Sequence, residues 1–216
     1  MFGSFLGITI LLLYLKICKP NSQKNASKIN KLVTNFHCRR VEIAPRLILA
    51  GLGGSVDSTI FETPGTIYWK GFPYTEDQLQ EKFKCLLSPQ IEQQSETKNK
   101  DLASDSILLV THSGPAYTST TDILYGKNHV HIQSGSVAMS SYLKQIKKES
   151  NLSSLPILAH IHGHSHNGLG LSHQIPGHPT INPGALKNGK FIHISFQQQN
   201  QEDVPWKLNG IHFITL

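Results

Sequence analysis

Cysteine is scarce in this chain: three in 216 residues, Cys18, Cys38 and Cys85, with no CxxC pair. That excludes a disulfide framework and a cysteine-based zinc site, and it fits a reducing compartment. Long apolar runs are absent as well. The run from Phe2 to Leu15 is fourteen residues, short of the ~20 that a helix needs to cross a bilayer. Its lysines, Lys16 and Lys19, follow it, whereas a secretory signal carries its positive charge ahead of the apolar stretch. Aspartate is missing altogether before Asp57, so no carboxylate-rich metal motif with aspartate ligands lies in the first quarter of the chain.

What is present describes a globular chain, 38% hydrophobic and 16% charged, long enough for one domain with a sizeable core. The formal charge of +6 is unevenly placed. Residues 1–50 hold eight Lys or Arg and one acid, a net of +7, while the rest holds twelve basic and thirteen acidic residues, a net of −1. A nucleic-acid binder carries its basic surface on the folded body, so no nucleic acid is specifically indicated. The division reads as an apolar and basic arm over residues 1–28 and a domain over 29–216, with a polar loop near 88–106. For the arm, a membrane anchor through residues 2–15 stands beside a buried strand or helix. Cytoplasmic localisation is the expectation, with membrane anchoring as the alternative. Oligomeric state is not legible.

"RLILAGLGG" (46–54) reads as a strand running into a glycine turn, and "GTIYWKGFPY" as a second strand. "TEDQLQEKFKCLL" from Thr75 has a Thr cap and one apolar face of Leu79, Phe83, Leu86 and Leu87, which predicts a helix. "SILLVTHSGP" is a buried strand ending at His112. "SGSVAMSSYLKQIKK" predicts a helix packed through Val137, Met139, Tyr142, Leu143 and Ile146. "LPILAHIHGH", "TINPG" and "KFIHISF" give further strands. The succession is that of an α/β fold with mixed sheets covered by helices. His112 and His164 would sit just past the ends of central strands, where such folds place their sites.

Six of the twelve histidines fall between 160 and 178. In "HIHGHSHNGLG" (160–170), His160, His162, His164 and His166 alternate, and positions two apart in a strand share a face. By itself this pattern reads more readily as a solvated edge strand than as a strand feeding a metal-binding loop. Gly163 would permit a sharp bend, and Gly168 and Gly170 would keep the next loop open. His112 in "THSGP", about fifty residues earlier, and "INPGAL" after it tip the balance to the loop.

Taken together, "VTHSGP", "GHSH" (163–166) and "INPGALKNGKF" (181–191) resemble the closing motifs of the calcineurin-like metallophosphoesterases, with "LILAGLGGSV" and "GFPYTEDQL" similar to the middle of such proteins. The resemblance covers roughly residues 30–195. It implies a sandwich of two mixed β-sheets flanked by helices, incomplete in this chain, and hydrolysis of phosphate mono- or diesters with divalent metals, normally two, of the manganese, zinc or iron type. It implies that His112 and His164 ligate one metal and His166 the other. Gly53, Gly54, His162 and Asn182 then support the site or line the substrate's access. The family's Asp-x-His, Gly-Asp and Gly-Asn-His motifs are not found, and "TNFHC" (Asn35, His37) is not Gly-Asn-His. No catalytic residue is therefore assigned.

Three readings follow. One is a metallophosphoesterase whose amino-terminal third is missing, with impaired activity as it stands. Another is a non-catalytic binding module or scaffold that retains the fold. The last is a fragment anchored at a membrane.

Overall fold

The structure, a computed structural model, describes residues 14–18, 37–63, 65–87, 105–148, 157–199 and 206–216. Its centre is a six-stranded mixed sheet in the order β10-β11-β9-β6-β3-β2. The strands are β2 (Arg39–Ala44), β3 (Leu47–Leu52), β6 (Ser106–Thr111), β9 (Ile157–His162), β10 (Gly170–Ser172) and β11 (Thr180–Asn182). β3, β6, β9 and β11 run parallel, and the two outer strands, β2 and β10, pair antiparallel with their neighbours. Strands that are covered on both faces read as nearly continuous apolar runs, which is why "LILAGL" and "SILLV" stand out in the sequence.

One face of this sheet carries the helices α1 (Glu76–Leu87) and α2 (Val137–Lys148). Leu79, Phe83 and Leu87 of α1 and Met139 and Leu143 of α2 form a core with Ala50, Ile107 and Leu109 of the sheet. The four apolar positions expected of α1 are all buried. Of those expected of α2, Val137 departs: it is 41% exposed, because it occupies the first turn, ahead of the stretch that meets the sheet. Thr75 and Gln78 cap α1 reciprocally. The Gln78 N–H donates to Thr75 Oγ1 and the Thr75 N–H to Gln78 Oε1, a capping box.

The other face meets a three-stranded sheet, β1-β12-β13, of β1 (Tyr14–Cys18), β12 (Lys190–Gln198) and β13 (Trp206–Thr215). Leu49, Leu108, Ala159 and Ile161 pack there against Ile194, Phe196 and Trp206. Two sheets thus lie face to face, with helices covering the larger one. A third, small sheet, β5-β4-β8-β7, joins β4 (Ser58–Ile60), β5 (Ile67–Trp69), β7 (Asp122–Tyr125) and β8 (Val130–Gln133). The sequence reading anticipated two sheets and neither the β7–β8 hairpin nor β13. Tyr14 and Leu15, the end of the early apolar run, pair in parallel with His193 and Ile194, and residues 2–13 lie outside the described residues. So do 88–104 of the expected polar loop, while Ser106 is already the buried first residue of β6. Among the described residues no helix is long and apolar enough to cross a membrane.

Candidate metal centre

The carboxyl ends of β3, β6, β9 and β11 lie side by side, because all four strands run the same way. Thr111 pairs with His162 in register, so the residues just beyond them meet: His112 after β6 and His164 after β9. The His112 N–H continues the ladder to the Leu52 carbonyl at 2.9 Å, and the Gly163 N–H bonds the His112 carbonyl at 3.1 Å. His112 Nε2 and His164 Nδ1 are 3.1 Å apart, with ring centroids 4.9 Å apart and an interplanar angle of 64°.

The bend after β9 falls on His164 itself. Its φ is 61°, in the left-handed region that costs an L-residue ~1–2 kcal/mol, whereas Gly163 beside it has no such angle. The turn closes with the Ser165 N–H on the Gly163 carbonyl at 2.7 Å. Gly168 keeps nothing open. A Cβ there would stand 2.0 Å from the Thr120 carbonyl oxygen, so it is a close-approach glycine.

Burial pushes the His112 imidazole below its ordinary pKa, with His166 adding to the effect. Burial and then His112 and His166 push His164 down to about 4. Both rings are therefore neutral at physiological pH, and the two facing nitrogens share one hydrogen bond, whose proton a bound ion would displace. Two nitrogens on one ion, each about 2.0–2.1 Å from it, stand ~2.8–3.4 Å apart in tetrahedral or octahedral geometry. The observed 3.1 Å fits that spacing, so this pair suits one divalent ion. His166 is exposed and close enough for its charge to act on both rings. Among the described residues, however, no three His, Cys, Asp or Glu side chains converge to hold an ion.

The supporting residues divide between two clusters. His162, 1% exposed, accepts from the Thr120 hydroxyl at Nε2 over 2.8 Å and donates from Nδ1 to the Gly163 carbonyl over 3.1 Å. Gly114 lies flat against its ring, since a Cβ there would be 2.6 Å from Cε1. Asn182 donates to the Ser165 carbonyl at 2.8 Å and accepts from the Gly184 N–H at 2.9 Å. It thus ties the "INPG" segment to the histidine loop. Sequence reasoning missed the Thr120 hydroxyl that holds the His162 ring, although "YTSTT" was the visible signal. It also left His160 without a partner. His160 is fully buried, on a central strand, and bonds Thr111 Oγ1 at 2.7 Å, so the solvated-edge reading of these histidines is excluded.

Gly53 and Gly54 belong to the other cluster. The Gly53 N–H donates to His37 Nδ1 at 3.1 Å. Gly54, at φ 91°, leaves room for Tyr74, whose ring a Cβ would approach to 2.6 Å. The "GLGG" and "GFPY" segments are locked together here, with the Ser55 N–H on the Phe72 carbonyl at 2.8 Å. His37 stacks on Tyr74 with rings 7° from parallel, and its Nε2 lies 3.0 Å from the Tyr74 hydroxyl.

No family model matches the chain, and no curated protein is similar to it. Two solved structures resemble the chain weakly. One is TT1561 of Thermus thermophilus, at 14% identity and a TM-score of 0.41, with 84% of this chain and 58% of that one covered. Another is 13% identical with a TM-score of 0.46, over 83% of this chain and 53% of that one. The chain therefore spans a little over half the length of either structure. Likenesses this weak place it in no family.

Proposed function

We propose that His112 and His164 hold one divalent ion and that the site belongs to a metal-dependent hydrolase of phosphate esters. The observation that carries this reading is the 3.1 Å spacing of two neutral imidazole nitrogens at the carboxyl edge of four parallel strands, the usual ligand position in α/β sheets. When bound, such an ion polarises a phosphoryl oxygen and acidifies a water molecule.

The chain's own residues hold the two rings. Parallel pairing of β6 and β9 fixes their separation. The Thr120–His162 bond fixes the end of β9, and Asn182 ties down the turn that follows. Closely spaced dications repel one another unless an anion bridges them, and no aspartate precedes Asp57. A single ion and slow hydrolysis are the expected behaviour of this chain, and phosphomonoester and diester are both open as substrates.

The test is a Co²⁺ or Mn²⁺ titration of the full chain by calorimetry, alongside hydrolysis of bis(p-nitrophenyl) phosphate. One ion per chain is expected, with affinity falling at least ~10-fold in both His112→Ala and His164→Ala. Turnover should be slow and should disappear in the same variants. Binding unchanged in both variants would overturn the site. Metal binding without any turnover would remove the hydrolase and favour a non-catalytic module that keeps the fold.

A further inference from the structure

Away from the histidine pair, a cavity of about 330 Å³ opens between the edge strand β2 and helix α1. Its walls are Cys38, Arg39 and Arg40 from β2 and the turn before it, and Lys82, Cys85 and Leu86 from α1. Every permanently charged side chain in this lining is a cation, so the cavity selects for negative charge. Asp105 acts on Arg40 from outside the lining. Two of the chain's three cysteines thus share one small cationic cavity, and both are free thiols open to solvent.

Cys38 is the better placed of the two. Because His37 Nδ1 accepts from the Gly53 N–H, the neutral imidazole carries its proton on Nε2. That nitrogen lies 3.4 Å from Cys38 Sγ. The Tyr74 hydroxyl lies 3.0 Å from the same nitrogen, and burial first and Cys38 second raise the Tyr74 pKa. That one N–H is shared between the Tyr74 oxygen and a sulfur at the wall of a cavity that favours anions.

We propose that this cavity binds a small anionic disulfide of the glutathione-disulfide class and that Cys38 takes up one half of it. The Cys38 sulfur attacks one sulfur of the ligand. A new S–S bond forms to that half, and the ligand's own S–S bond breaks. Its electron pair leaves with the other half as a thiolate, and the Cys38 proton passes to solvent. The thiol is oxidised and the ligand reduced, with no further oxidant. The adduct fills the cavity where β2 faces α1.

The test compares two reagents on the full chain. One is the dianionic aromatic disulfide 5,5′-dithiobis(2-nitrobenzoate) and the other the neutral 4,4′-dithiodipyridine, with the modified cysteine located by peptide mass mapping. The anionic reagent should label Cys38 before Cys85 and Cys18. The double variant Arg39→Gln, Lys82→Gln should slow it about tenfold and change the neutral reagent's rate less than twofold. Raising the salt concentration on the unaltered protein should have the same selective effect, which keeps the test informative should the variant fold poorly. Glutathione disulfide should then leave one adduct, on Cys38. First labelling at Cys85 or Cys18, or equal slowing of both reagents, would overturn the proposal.

Discussion

At φ 61° the backbone of His164 occupies the region that glycine prefers, although a glycine stands one residue earlier. A side chain kept in such a conformation persists where the surrounding contacts over-determine it, and these residues cluster at functional sites. His164→Gly should therefore be more stable than His164→Ala by ~1 kcal/mol, while both lose metal affinity to a similar extent. Urea unfolding and calorimetry on the two variants check this. A Gly variant no more stable than the Ala variant would mean that the left-handed turn is absent. Gly114 makes the opposite case. Its missing Cβ is filled by the His162 ring 2.6 Å away, in a buried setting where the ring cannot swing out. Gly114→Ala should cost ~2–3 kcal/mol as an overpacking substitution and should weaken metal binding by shifting the loop that follows His112. A cost under ~0.5 kcal/mol in urea unfolding would rule the contact out. The histidine pair was legible in the sequence because its residues follow two strong apolar strands. The partners of His160 and His162 were not, since a threonine hydroxyl forty or fifty residues away leaves no local pattern.

Between elements, the less visible link is Glu76. It lies in the first turn of α1, yet its carboxylate serves α2: it accepts from Ser136 Oγ at 2.6 Å and from the N–H groups of Val137 and Ala138 at 2.9 and 3.0 Å. Ser136 itself caps α2 through the Met139 N–H at 3.1 Å. A carboxylate on the open amides of a helix start satisfies donors and complements the helix dipole. Glu76→Ala should destabilise the chain by ~1–2 kcal/mol, and a double-mutant cycle with Ser136→Ala should show coupling, because the two side chains share one cap. Additive effects would show the two caps to be independent. Both helices were readable from apolar spacing and cap residues, and the parallel strands from their unbroken apolar runs. The β7–β8 hairpin and β13 were not, because half-exposed strands such as Trp206–Thr215 alternate only loosely and yield no clean period.

For the whole molecule, the buried histidines set the response to acid. His160 is fully buried and its pKa is pushed well below the usual value by burial, and further by His162 and His178. Among the described residues nothing bonds its Nδ1, and its Nε2–H goes to Thr111 Oγ1, a hydroxyl that itself donates to the Ser113 carbonyl. Protonating the ring would bury an unpaired N–H and a charge together. The folded chain therefore keeps His160 neutral, whereas the unfolded chain protonates it near pH 6.5. Above that pH both states are neutral and the residue adds no pH dependence. Below it the unfolded state binds the extra proton, so stability falls with pH until the much lower folded pKa is reached. The expected slope from this residue alone is ~1.4 kcal/mol per pH unit below about pH 6. Urea unfolding between pH 7.5 and 5 measures it, and His160→Gln should reduce the slope by that amount even though it lowers stability at neutral pH. Identical slopes in the two proteins would mean that His160 can take up a proton inside the folded sheet.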